Sequence, residues 1–204
     1  MILESAILYA LRDADRAATL AVNDSGGAFT DAVMPVISSH AFIALVYALL
    51  LSFILWKFGW RKALTVLLVA GVTLLLADQA ANLVKYSVQR LRPCWDDDMV
   101  SEGLRILERK GSKFGFWSAH AATATGVITV VLMLVRFWDG KRPHKLATAL
   151  GVVWILLVSV SRVYVGKHFV GDILAGMAAG FVISFALSLA ARWLIRRYFT
   201  KFAG

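Results

Sequence analysis

The stretch ALTVLLVAGVTLLLADQAANLV, residues 63–84, carries a single ionisable residue, Asp78, in an otherwise apolar run. A hydrocarbon layer about 30 Å thick is crossed by roughly 20 such residues in a helix. No water is available there to satisfy backbone N–H and C=O groups, so the run must bond to itself and form a helix. It is read as a membrane span that leaves the hydrocarbon near Lys85. Comparable runs occupy residues 37–58, from Trp117 to just before Arg136, 146–163 and 170–194. The fold expected is all-α, a polytopic transmembrane helix bundle of five spans forming one membrane-embedded domain over residues 1–204.

Composition agrees. The 204 residues are 59% hydrophobic and 17% charged, too apolar for a soluble domain of this size. The net charge of +9 does not point to nucleic acid, because Lys and Arg gather between the apolar runs and in the tail RWLIRRYFTKFAG, where membrane topology accounts for them. Cys94 is alone, so no internal disulfide can form and it is read as structural.

Residues 1–24 lack the basic start and unbroken apolar core of a cleaved signal. Leu3, Ile7, Leu11, Ala14 and Ala18 share one helical side, whereas Glu4, Arg12, Asp13, Asp15 and Arg16 make crossing costly. An amphipathic helix lying at the interface is expected, with a sixth span as the alternative.

Alternation of the spans decides which polar segments share a side. The loop 84–116 with the start of the third span, and the turn 161–172 between the fourth and fifth, must face one compartment. The loops with Lys57, Arg61, Lys62, Arg136, Lys141, Arg142 and Lys145 face the other, together with the tail. The 22 Lys and Arg divide equally between the two sides. If Lys85, Arg92 and Arg162 are held in a site rather than acting as anchors, the cytoplasmic bias belongs to the short loops. The polar side is then periplasmic or exterior.

Three clusters meet on that side: KYSVQRLRP with Lys85 and Arg92, FWSAH with Ser118 and His120, and SRVYVGKHFVGD with Arg162, His168 and Asp172. Forked guanidinium donors and a lysine point charge suit a tetrahedral oxyanion. Free N–H groups at the start of the third span, near Ser118 and Ala119, add to them. Asp172 lies four residues after His168, on the same helical face, so it can accept from one ring nitrogen and leave the other free to attack. His120 then serves as a general acid. A lone Arg or His at a membrane boundary is ordinarily a snorkelling anchor; seven such groups brought to one side by topology argue for a site.

These residues resemble the type 2 phosphatidic acid phosphatase superfamily of integral-membrane lipid phosphatases. Its signatures are Lys-x6-Arg-Pro, Pro-Ser-Gly-His and Ser-Arg-x5-His-x3-Asp. Residues 85–93 and 161–172 match the first and third in full spacing. The resemblance implies that His168 forms a phosphohistidine, Asp172 orients it, and His120 protonates the leaving group and later helps activate water. It implies that Lys85, Arg92, Ser118, Ala119 and Arg162 hold the phosphate, with no metal or other cofactor. The second signature departs, with Trp117 for Pro and Ala119 for Gly. Ala disfavours positive φ, so this backbone must be helical or extended.

The implied substrate is a phospholipid or isoprenoid lipid. Family members act on undecaprenyl diphosphate, lipid A phosphates, phosphatidylglycerophosphate and phosphatidic acid. Short loops look bacterial and favour an envelope lipid, undecaprenyl diphosphate or lipid A, in an inner membrane. A lipid transporter or flippase and a vanadate-dependent haloperoxidase are the competing classes; clustering of charge at one face argues against the first and hydrophobicity against the second. Asp96, Asp97 and Asp98 are read as a solvated loop rather than a Mg²⁺ site. The segment SEGLRILERKGSKFG is read as a short surface helix or flexible cover, and Lys167 as facing head groups.

Overall fold

A computed structural model describes residues 2–140 and 145–199, with side chains from residue 6 onward. The Leu3 and Glu4 side chains, Lys141, Arg142 and the tail beyond residue 199 lie outside the described residues. The helices are α1 (Ile2–Asp24), α2 (Ala28–Ile37), α3 (His40–Phe58), α4 (Trp60–Val88), α5 (Asp97–Ser101), α6 (Ala119–Asp139), α7 (Lys145–Tyr164) and α8 (Val170–Tyr198). Among the described residues five of them, α3, α4, α6, α7 and α8, are long and apolar enough to cross a membrane.

The boundaries follow local chemistry rather than hydropathy. The first span begins at His40 instead of residue 37, because the Ser39 hydroxyl accepts from Phe42 N at 3.2 Å and caps a new helix. Gly59, at φ +82°, is the entire connection between α3 and α4. α4 continues to Val88 and ends on Gln89 in the left-handed conformation. The third span begins at Ala119 rather than Trp117, with Ser118 as its cap. α8 runs on to Tyr198, through Arg196 and Arg197, which favour the negative end of its dipole.

α6 is the central helix. Gly176, Gly180, Ser184 and Ser188 recur every fourth residue on α8, all buried, and form a stripe of small residues of the kind that lets membrane helices approach closely. The need for small residues is steric. A side chain on Gly176 would strike the Ser118 carbonyl, and one on Gly180 the Ala122 carbonyl, both on the α6 side of the seam. A further core joins α3, α4 and α6 through Ile54, Val66, Val130, Leu134 and Trp138. The outer surface is apolar, with Leu68, Leu75, Val153, Phe181 and Val182 exposed, as expected where lipid replaces water.

α1 packs on α7 and α8. Of the charges that make a crossing costly, Asp15 and Arg16 turn inward. Arg16 donates to Asp96 at 3.0 Å and Glu102 at 3.2 Å, and Asn23 donates to the Tyr164 carbonyl at 2.7 Å. Polar partners on the neighbouring loop compete with the head-group region for these side chains. The segment after α5 is neither a surface helix nor a loose cover. Leu104 is buried, Arg105 pairs with Asp31, Arg92 N donates to Lys113 O at 3.0 Å, and Gly115 N donates to Arg90 O at 2.9 Å.

Candidate active site

The turn from α7 to α8 closes on one carbonyl. Lys167 N and His168 N both donate to Arg162 O, at 3.0 and 3.2 Å. Gly166 permits the turn at φ +79°, and a side chain there would meet the Arg105 carbonyl at 2.8 Å. α8 then begins with Asp172 in its first turn, where Oδ2 accepts from Phe169 N at 3.0 Å.

Asp172 is fully buried. Its Oδ2 lies 3.4 Å from His168 Nδ1, a long contact of the sort that tightens when a catalytic site fills. Burial is the first cause that pushes His168 down to about 4, against the opposing pull of Asp172. The imidazole is therefore neutral at pH 7. With Nδ1 turned to the carboxylate, the proton is assigned there and the Nε2 lone pair is free.

Arg162 is 6% exposed; its Nη1 stands 3.3 Å from both oxygens of Glu108, and its Nε is buried without a partner. Arg92 donates from Nε to Phe114 O at 3.2 Å and from Nη2 to Ser112 Oγ at 2.9 Å. Burial, and next the charge of Arg162, pull Arg92 down from the usual guanidinium range. Two desolvated cations repel each other, and one bound anion relieves both penalties. Lys85, in the last turn of α4, rests 3.5 Å from Asn82 Oδ1 and has Arg92 and Asp172 as electrostatic neighbours.

Ser118 ties the second cluster to the third, since its N–H donates to Asp172 O at 2.9 Å while its hydroxyl accepts from Ala121 N at 3.4 Å. Ala119 is the first residue of α6 and helical, so its Cβ meets the backbone condition set by the sequence. His120 follows, edge-on to His40 at 5.0 Å, with Nε2 buried and unpartnered. Arg162 and His168 are its electrostatic neighbours. All eight residues singled out in the sequence thus collect at one end of the bundle.

Four neighbours escaped the sequence reading: Arg90, Glu108, Asp15 and His40. Arg90 sits inside the x6 spacer of the first signature, and Glu108 within a run of alternating charge, so neither stood out. Lys167 does not face head groups. It is 5% exposed and its Nζ bonds the Arg109 carbonyl. Asp96 is not simply solvated either, because it pairs with Arg16 and accepts from Met99 N at 3.3 Å as the cap of α5; Asp97 and Asp98 are exposed. Cys94 is buried with Met99, Leu104 and Phe169, and burial pushes its thiol up, consistent with a structural role.

The PAP2 superfamily model matches residues 66–196. A lipid A 4′-phosphatase from Bacteroides thetaiotaomicron is 30% identical over 172 residues, covering 83% of this chain and 73% of its own. An undecaprenyl-diphosphatase from Sulfolobus acidocaldarius is 33% identical over 120 residues, 56% of this chain and 52% of its own. The crystal structure of a transmembrane PAP2-type phosphatidylglycerolphosphate phosphatase from Bacillus subtilis superposes with a TM-score of 0.68 at 25% identity, covering 93% of this chain and 89% of that one.

Proposed function

The chain belongs to the PAP2 superfamily and is an integral-membrane lipid phosphatase; from that premise we propose that it removes phosphate from a bacterial envelope lipid, lipid A before others. The observation that carries the chemistry is the buried His168 held against Asp172, with Arg92 and Arg162 as its cationic neighbours. His168 Nε2 attacks phosphorus, and an N–P bond forms as the bond to the lipid oxygen breaks. His120 gives that oxygen its proton. Asp172 keeps the proton on Nδ1 and stabilises the imidazolium that develops. Water, deprotonated by His120, then cleaves the N–P bond and releases inorganic phosphate.

Lys85, Arg92, Arg162, the Ser118 hydroxyl and the Ala119 N–H bind the phosphate oxygens, and their charge does the neutralising that a metal does elsewhere. The incoming phosphate displaces the Glu108 carboxylate from Arg162. The site faces the periplasm or exterior, with the short basic loops on the cytoplasmic side of an inner membrane. Ile7, Leu8 and Leu11 stay exposed on α1, an apolar surface suited to the membrane interface.

Undecaprenyl diphosphate is the second reading, favoured by the relative from Sulfolobus acidocaldarius. Phosphate release by the purified protein in EDTA, across lipid A, undecaprenyl diphosphate, phosphatidylglycerophosphate and phosphatidic acid, ranks the substrates. Activity is expected with EDTA present and lost in His168→Ala. Full activity in that variant would overturn the mechanism, and a preference for glycerophospholipids would overturn the substrate.

A further inference from the structure

α1 reaches the catalytic end of the bundle through α8. The first N–H groups of a helix have no partners of their own, and two of those on α8 are satisfied from α1: Val170 N donates to Thr19 Oγ1 at 3.1 Å and Gly171 N to Asp15 Oδ1 at 2.7 Å. Gly171 makes the second contact possible, since a side chain there would meet Asp15 Oδ2 at 3.0 Å. The other Asp15 oxygen is taken by Arg90. Its guanidinium forks, with Nη2 on Asp15 Oδ2 at 2.6 Å and Nη1 on Asp172 Oδ1 at 2.8 Å, and it lies over the Phe169 ring at 4.1 Å.

Asp172 has no exposure to solvent. A buried carboxylate is costly without an opposing charge within hydrogen-bond reach, and a neutral histidine on Oδ2 does not provide one. Arg90 does, and fixes the plane of the carboxylate by holding Oδ1. We propose that Arg90 is a positioning residue for catalysis, itself anchored by Asp15 of α1, which holds the Asp172 carboxylate in place and aimed at His168. This rests on the reading of His168 as nucleophile.

The charged and titratable groups around Asp172 are Arg90 and, at longer range, Arg92 and Lys85 from the first cluster, His168 from the turn, and Asp15 from α1 across Arg90. Of these, Arg90 alone makes a direct charged hydrogen bond to Oδ1. Without it, a cation beside the pair is lost, so His168 accepts a proton at higher pH, and the carboxylate is no longer held in its plane.

The test measures kcat, KM and pH profiles of Arg90→Gln, Arg90→Lys and Asp15→Asn beside wild type, with His168→Ala as the control. Arg90→Gln is expected to lower kcat about 100-fold, to leave KM within about twofold as befits a group that does not touch substrate, and to move the acid limb of kcat/KM to higher pH. Arg90→Lys, which keeps the charge but not the fork, restores the wild-type limb and part of kcat. Asp15→Asn falls between them. An inactive His168→Ala with wild-type kcat and pH profile in Arg90→Gln overturns this inference alone. So does a loss of kcat in Arg90→Gln with an unmoved limb, or a moved limb that Arg90→Lys fails to return. An active His168→Ala overturns the mechanism beneath it.

Discussion

The attack proposed for His168 needs an unprotonated imidazole, and burial favours that form by pushing the ring down to about 4 against the ordinary 6.5. The same burial penalises the protonated folded state. Above pH 6.5 the folded and unfolded chains both carry the neutral ring, so stability does not change. Between 6.5 and 4 the unfolded chain binds the proton and the folded one resists it, so stability falls with pH through that window, by about 2 kcal/mol at pH 5. Thermal unfolding in detergent should therefore show wild type losing more stability than His168→Ala between pH 7 and pH 5. Parallel losses in the two proteins would contradict the burial argument. His168 itself was plain in the sequence because its spacing to Asp172 matches one helical turn. Arg90 was not, since pairing across three separate elements leaves no local spacing to read.

At the scale of elements, the seam between α6 and α8 sets Ser118 against Asp172, because the chain on either side of it is rigid helix. Gly180→Leu forces a side chain into the Ala122 carbonyl and is expected to cost about 1–3 kcal/mol, the usual penalty of overpacking, with a parallel fall in activity. Ser188→Ala lies on the same stripe, but its hydroxyl is buried without a partner, so its removal should be neutral or stabilising. Melting temperatures of the two variants in one detergent check both signs. The stripe was present in the sequence, yet hydropathy registers Gly and Ser only as weakly apolar and says nothing of contact distance. Apolar length gave the five spans, and the starts of three of them shifted by two to three residues where Ser39, Gly59 or Ser118 imposed a cap or hinge. The inward partners of α1 were hidden for a different reason. Helical periodicity shows that its charges are segregated, but whether Asp15 and Arg16 meet water or Arg90 and Asp96 depends on loops far along the chain.

For the whole molecule, a bundle of spanning helices has one end in each compartment, and the collected site marks one of them. The equal division of Lys and Arg leaves charge counting silent until the role of Arg90, Arg92, Lys167 and Arg162 is known. Each of these is bonded inside the fold: Arg90 to Asp172, Arg92 to Phe114 O, Lys167 to Arg109 O and Arg162 to Glu108. Cations held this way are spent on structure and on the site, and they are poor reporters of topology. Lys57, Arg136 and the α8 tail remain as the anchoring set, which supports the proposal that the catalytic end faces away from the cytoplasm. A membrane-impermeant thiol reagent tests this directly, because Cys94 is the sole cysteine and has no exposure, giving a low background. Ser101, exposed at the catalytic end on α5, and Asp139, exposed where α6 ends opposite, are suitable positions for single cysteines. Ser101→Cys is expected to label on cells stripped of their outer membrane, and Asp139→Cys only after lysis. The reverse pattern would place the catalytic end in the cytoplasm, and an envelope lipid presented at the outer leaflet would then be out of its reach.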